Sequence, residues 1–326
     1  MTRAAPRPAR RAQHVQHAPR ASHGVPRDAL RAAVPLLREV GDLKRVRTAD
    51  SGASMAERAF LRSWAALARG ADPGRVADHE CAAAVAGARL AGVDGPVLRR
   101  CGLTASEAAD VLARSVGQHA GRLDAATLGR LREALPRLAA AEPHDALAPA
   151  FAAALCAQPR AGATRPGRPR LMVEPPESHG DHCWAVAVYG GLLAGAFGAD
   201  PADAFLLGLA HHLHNAVLPD AGFAGEELLG EHLPGITSRL TERQLTALPG
   251  VLASRLTGLL ALREEAAHPA ARAFHAADVL DRVLQVRHHA RAAAFTAEQA
   301  LDDLDLVHPC AVSGFHRAVL DAAEAA

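Results

Sequence analysis

The chain has 326 residues, enough for about two domains with buried cores. About a quarter are alanine, whereas isoleucine, tyrosine and lysine occur once each. Because strands favour β-branched and aromatic residues, this composition excludes an all-β sandwich or barrel and predicts an all-α fold. The 36 basic residues nearly balance the 35 acidic ones, so no overall field attracts a nucleic-acid polymer or an anionic membrane.

Residues 1–27 contain six arginines, four prolines and no acid, and we predict a disordered basic tail. Residues 28–157 are predicted to form a separate helical N-terminal region of unknown role. Helix-start signals include proline at a first helical position after Asp72 and a capping box from Thr104 to Glu107. The predicted helices are Arg27 to Val40, Ser54 to Arg69, Pro73 to Leu90, Thr104 to Gln118, Asp124 to Ala141 and Asp145 to Ala157.

Residues 158–176 contain five prolines and four arginines, which predicts a linker because proline blocks helix continuation. Residues 177–326 again show helical patterns and are predicted to form a second helical domain. Its first helix is apolar nearly all round, which is typical of a central core helix. The predicted helices are Asp181 to Phe197, Pro201 to about Asn215, Gly222 to His232, Thr241 to Leu262, Pro269 to about Ala294, Thr296 to Leu304 and His308 to Ala325.

The cysteines and the apolar runs indicate the compartment. None of the five cysteines forms a CxxC pair, which argues against a disulfide framework or a cysteine zinc site and suits a reducing cytoplasm. The apolar run from Cys183 to Ala199 has 17 residues and falls short of a membrane span. We therefore expect a cytoplasmic protein without a membrane segment.

Histidines and acids of the second half form an ordered set. His182 lies at the start of the core helix, His211 and His212 at the end of the next, and Asp278 on a later helix. Facing helices of a bundle can direct such side chains inward. Three imidazoles and a carboxylate suit one divalent transition metal, such as Zn, Mn, Co, Ni or Fe. Asp220 follows as a free carboxylate that could serve in acid–base catalysis.

This order resembles the HD superfamily of metal-dependent phosphohydrolases, named for its His…His-Asp…Asp ligands. The segment Asp181-His182-Cys183-Trp184 is similar to the Glu-His-Ser-Trp of small bacterial HD 5'-deoxynucleotidases. The resemblance covers about residues 172–295. It implies an HD-type helical bundle, a metal-activated water as nucleophile, Asp220 as the catalytic carboxylate, and a nucleotide or other small phosphoester as substrate.

Two departures from the family pattern affect the predicted chemistry. His212 stands where the family has the aspartate of its pair, and Asn215 stands where the nucleotidases have an assisting acid. The first change removes a carboxylate able to bridge two metals, so we expect a mononuclear site. His214, Asn215 and Arg282 are predicted contacts for the phosphorylated substrate. The alternatives are that His214 caps its own helix, that Arg282 pairs with Asp278 as i,i+4 neighbours, and that Asp220 caps the helix beginning near Gly222.

Two other functions stay open. A degenerate HD domain that binds a ligand or partner would also fit the altered pair. An iron-dependent HD oxygenase ranks third, because it needs a bridging carboxylate where this chain has His212. We also consider a homodimer as the assembly.

Overall fold

The computed structural model describes residues 24–49, 51–141, 147–265, 267–291 and 310–324, and the single positions 296, 299, 301 and 307. All but the last four residues of the predicted tail and most of the predicted helix Thr296 to Leu304 lie outside this part of the chain. Within it helices dominate, so the predicted all-α class is confirmed.

The N-terminal half folds into helices joined by short turns. Three of its helices begin at side-chain caps that the sequence predicts, because Asp72, Ser54 and Thr104 each accept a hydrogen bond from a first-turn N–H. A small antiparallel hairpin, with strands β1 (Arg47–Thr48) and β2 (Ser51–Ser54), lies between the first two helices. The helices are α1 (Arg27–Gly41), α2 (Met55–Ala68), α3 (Pro73–Leu90), α4 (Gly95–Arg100), α5 (Ala105–Gly117), α6 (Ala125–Ala140) and α7 (Ala150–Ala157).

The C-terminal half contains the helices that carry the predicted ligands. The prediction of one helix from Thr241 to Leu262 is wrong, because the chain leaves the helix after Leu245 and starts a new one after Pro249, a residue that lacks the N–H needed for helix continuation. The helices are α8 (His179–Phe197), α9 (Pro201–Ala210), α10 (Gly222–Leu229), α11 (Leu233–Leu245), α12 (Gly250–Leu262), α13 (Pro269–Ala290) and α14 (Ser313–Glu324).

Helix α8 lies at the centre of the core and is buried along almost its whole length. Helices α9 and α13 pack on one part of its surface, and α1, α2 and α3 pack on another. One continuous apolar cluster therefore contains residues of both halves, including Trp64, Trp184 and Phe205. The segment predicted as a linker has no helix and pairs with neighbouring backbone through two isolated bridges. The predicted domain boundaries at residues 158–176 stay a prediction.

Among the described residues, no helix combines the length and apolarity that crossing a bilayer would require.

A glycine lets α8 and α9 approach closely. A Cβ placed on Gly208 would lie 2.3 Å from Ala187 Cα and 2.4 Å from Ala187 N, so the backbone of α8 occupies the space that any side chain would need. This contact also sets the distance between the first turn of α8 and the end of α9, where the predicted metal ligands His182 and His211 lie.

We expect Gly208→Ala to destabilise the protein by about 1–3 kcal/mol, because backbone must move to admit the methyl group. Gly258→Ala is the matched control, since a Cβ on Gly258, which also lies within a helix, meets nothing within 4 Å. There alanine should stabilise by about 0.5–1 kcal/mol. Urea denaturation measures both, and an unchanged free energy of unfolding for Gly208→Ala would show that α8 and α9 are not in close contact.

Candidate metal centre

His182 is fully buried on the first turn of α8 and is held by two aspartates of α13. Its Nδ1 lies 2.8 Å from Asp281 Oδ2, so Nδ1–H donates to this carboxylate. Its Nε2 lies 3.4 Å from Asp278 Oδ1. Asp278 and Asp281 are three residues apart and share one helix face. A carboxylate behind Nδ1 is the usual support for a histidine that binds metal through Nε2.

His211 and His212, which follow the last residue of α9, are held in the same way. His211 Nδ1 donates to Gly208 O at 2.7 Å, and His212 Nδ1 donates to Asn215 Oδ1 at 2.8 Å. Burial, followed by neighbouring histidines, lowers the pKa of both rings well below the usual value. Both are therefore neutral at pH 7, the form in which imidazole binds metals.

The free nitrogens of this cluster converge. His182 Nε2 and His211 Nε2 lie 3.2 Å apart, while the Nδ1 atom of each ring already donates elsewhere. Two acceptor nitrogens at this distance repel each other unless a proton or a metal ion lies between them. Ligand atoms of His182, His211 and His212 all lie within 4.8 Å of one another, so these three histidines could hold a metal ion.

Asp278 lies beside this cluster but, among the described residues, is not part of the set whose ligand atoms are all within 4.8 Å. Its other oxygen pairs with Arg282 Nη2 at 3.0 Å, as the i,i+4 alternative predicts. Burial alone would raise the pKa of Asp278, but Arg282 and the contact with His182 hold it well below its usual value. Asp278 is therefore an ionised carboxylate next to His182.

A buried ion-pair network that the sequence analysis missed supports the cluster. Lys44 is 5% exposed, and its Nζ lies 2.6 Å from Glu177 Oε1 and 2.7 Å from Asp281 Oδ1. Asp281 thus links Lys44 to His182. The one signal in the sequence is that Lys44 is the only lysine among 36 basic residues. Ligand atoms of Glu177, His182 and Asp281 also lie within 4.8 Å of one another, but Lys44 already supplies a positive charge to both carboxylates.

Asp220 is tied to backbone on both oxygens. It accepts from Ala161 N–H and from Gly222 N–H, each at 2.9 Å, and its Oδ2 lies 3.9 Å from His179 Nε2. Burial would raise the pKa of Asp220, but the backbone hydrogen bonds and Arg160 lower it below its usual value. Asp220 thus makes the capping contact of the alternative interpretation, and its catalytic role stays a prediction.

The predicted substrate contacts differ in their surroundings. Asn215 accepts from His212 and donates to Leu218 O at 3.0 Å, so it orients His212. His214 is half-buried, and burial, with Arg263 nearby, lowers its pKa to about 4. Their contacts with a substrate stay predictions.

Two guanidinium groups near the cluster keep a buried nitrogen without a hydrogen-bond partner among the described residues. They are Nη1 of Arg160 and Nε of Arg282. Arg160 comes from the predicted linker and lies 3.8 Å from Glu177 Oε2. Arg160 was not predicted as a site residue, because one arginine among 35 gives no signal by itself.

No protein-family model, curated protein or solved structure matches this chain. The resemblance to the HD superfamily stays a prediction.

Proposed function

We propose that His182, His211, His212 and Asp278 hold one divalent transition-metal ion and that the protein hydrolyses a small phosphomonoester, such as a nucleotide. The observation that carries the proposal is the convergence of three imidazoles whose Nδ1 atoms are already hydrogen-bonded. Each ring therefore offers Nε2, the nitrogen left for a metal.

The donor set fits such an ion. Two nitrogens at about 2.05 Å from a tetrahedral metal lie about 3.3 Å apart, close to the 3.2 Å between His182 Nε2 and His211 Nε2. Neutral imidazoles with a carboxylate and a divalent ion leave a net charge of about +1, which attracts an anionic substrate. When bound, the ion lowers the pKa of a water and polarises a phosphoryl oxygen.

The chain's own residues would bind the phosphate and supply the proton. Arg160 and Arg282 each have a buried nitrogen without a hydrogen-bond partner in the described part of the chain, and guanidinium suits phosphate. Asp220, held ionised, would accept a proton or orient water. Burial and nearby Asp220 raise the pKa of Glu226, which makes Glu226 a second candidate for proton transfer.

Elemental analysis of tag-free protein tests the metal site. We expect about one Zn, Fe, Ni, Co or Mn per chain, lost in His211→Ala and kept in the control His232→Ala, since His232 is exposed. No metal in the wild type, even after reconstitution, would refute the hydrolase.

The second candidate is a binding module without turnover. His212 stands where the HD pattern has the aspartate of its His-Asp pair, and Asn215 stands where the nucleotidases have an assisting acid. Asn215 is hydrogen-bonded to His212 and to Leu218 O. Neither position therefore offers a carboxylate. A screen of the metal-loaded protein against nucleoside monophosphates and sugar phosphates separates the two. Phosphate release that His211→Ala abolishes supports the hydrolase, whereas stoichiometric metal without release supports the module.

A further inference from the structure

A cavity lies in the N-terminal half, away from the residues of the candidate metal centre. It has a volume of about 610 Å³, opens to solvent, and is lined by residues of α2, α3, α4 and α6, with Trp184 of α8 in its wall. Pockets for small organic ligands span about 300–1,000 Å³ and are mostly apolar. Leu61, Ala65, Ala83 and Leu138 are among the side chains that give this cavity an apolar wall.

The wall includes one polar group that the described fold leaves unsatisfied. Trp184 is 2% exposed, and its indole N–H is buried without a hydrogen-bond partner among the described residues. Because this nitrogen has almost no accessible surface, a molecule in the cavity would contact the indole ring of Trp184 and not its N–H.

The charge around the cavity is strongly positive. Six arginines but only two carboxylates line it, whereas the whole chain has 36 basic and 35 acidic residues. The high arginine content of the chain does not explain this excess, because acidic residues balance the arginines over the whole sequence. Arg69, Arg75, Arg100 and Arg137 are exposed and, within the described parts of the chain, form no ion pair.

One of the two carboxylates is already neutralised. Glu80 is buried and accepts two hydrogen bonds from Arg62, from Nε at 2.9 Å and from Nη2 at 2.7 Å. The other four arginines therefore present guanidinium groups, without an ion-pair partner in the described ranges, at the edge of an apolar cavity. Guanidinium binds carboxylate and phosphate through paired N–H groups.

We propose that this cavity binds an amphiphilic organic anion, with an apolar chain inside and a single carboxylate or phosphate head at the arginines. The basic tail of residues 1–27 is an unsuitable occupant because it carries arginines and no acid. The cavity and the metal centre share no residue.

Isothermal titration calorimetry of the full chain with dodecyl phosphate and dodecanoate, below their critical micelle concentrations, tests the proposal. We expect saturable binding of at least one anion, and binding of dodecanol and of inorganic phosphate at least about tenfold weaker. Trp184 fluorescence should change on binding, and the change should disappear in Trp184→Phe, which keeps the second tryptophan, Trp64. Preference for one anion identifies the head group.

Two variants locate the ligand. The double variant Arg69→Glu/Arg137→Glu reverses the charge at the edge of the cavity. Ala83→Phe adds a ring that fills the apolar part of the cavity. Each should weaken binding by about tenfold or more, the equivalent of at least about 1.4 kcal/mol. Arg239→Glu/Arg243→Glu, on the exposed surface of α11, is the matched charge control and should bind as the wild type does. Absence of binding, equal binding of dodecanol, or unchanged affinity in both site variants would overturn the proposal. If the wild type binds no anion and the charge variant changes its oligomeric state, the cavity would instead be assigned to a protein partner.

Discussion

Lys44→Met should destabilise the protein by about 3–5 kcal/mol, the usual cost of leaving a buried charge without its partner. Lys44 Nζ contacts Glu177 and Asp281 at 2.6 and 2.7 Å, and Asp281 is 1% exposed. Methionine has a similar length, so the loss comes mainly from charge. Equilibrium denaturation in urea at pH 7 measures the effect.

Two further variants separate charge from packing. Lys44→Met combined with Glu177→Gln removes one charge of each sign and should recover part of the lost stability. Arg89→Met breaks the partly exposed ion pair with Glu39 and should change the free energy of unfolding by about 1 kcal/mol or less. If Lys44→Met behaves like Arg89→Met, the ammonium does not neutralise the two buried carboxylates.

The same site explains why the chain keeps a lysine there although it uses arginine at every other basic position. An ammonium is a compact point charge, whereas guanidinium is a broad planar fork. Nζ lies 2.6 Å from one carboxylate and 2.7 Å from the other, and the Lys44 side chain is buried. We therefore expect Lys44→Arg to fail to restore wild-type stability, since the larger group would have to displace Glu177 or Asp281.

Local sequence signals predicted helix boundaries well where a capping residue directly precedes a segment with helical apolar spacing. Helix α3 begins at Pro73 and ends at Leu90 as predicted, because Asp72 caps it and proline suits its first position. The apolar spacing did not predict α4, because so short a helix carries little periodicity. It also predicted one continuous helix across Pro249, because the apolar spacing continues on both sides of the break. A six-residue helix depends on the tertiary packing around it, which a local pattern does not contain.

The candidate site was predictable in part for the same reason. His182, His211 and His212 lie at helix ends with recognisable order, and the structure brings them together. Lys44 and Glu177 are 133 residues apart in the chain, so their contact depends on how α1 and α8 pack. Only a tertiary structure shows that the N-terminal half supplies the cation behind His182.

Protonation of His316 should make the wild type lose stability as the pH falls, and His316→Leu should remove the share of the loss that comes from this ring. His316 is 4% exposed, neither ring nitrogen has a hydrogen-bond partner among the described residues, and burial, with Arg282 nearby, lowers its pKa to about 4 from 6.5. Between these values the unfolded chain binds a proton that the folded protein excludes, so stability present above pH 6.5 is lost on acidification. The loss reaches about 2 kcal/mol at pH 5 and about 3 kcal/mol at pH 4.

Urea denaturation at pH 7 and pH 5 of the wild type, His316→Leu and the exposed control His232→Leu measures this difference. At pH 7 the ring is neutral, so leucine should be neutral or stabilising, because it replaces two unsatisfied buried nitrogens with apolar atoms. At pH 5 the variant should be more stable than the wild type by about 2 kcal/mol beyond any difference at pH 7, and His232→Leu should follow the wild type. Parallel losses in all three proteins would mean that His316 takes up its proton in the folded state, and that α14 does not exclude water from it.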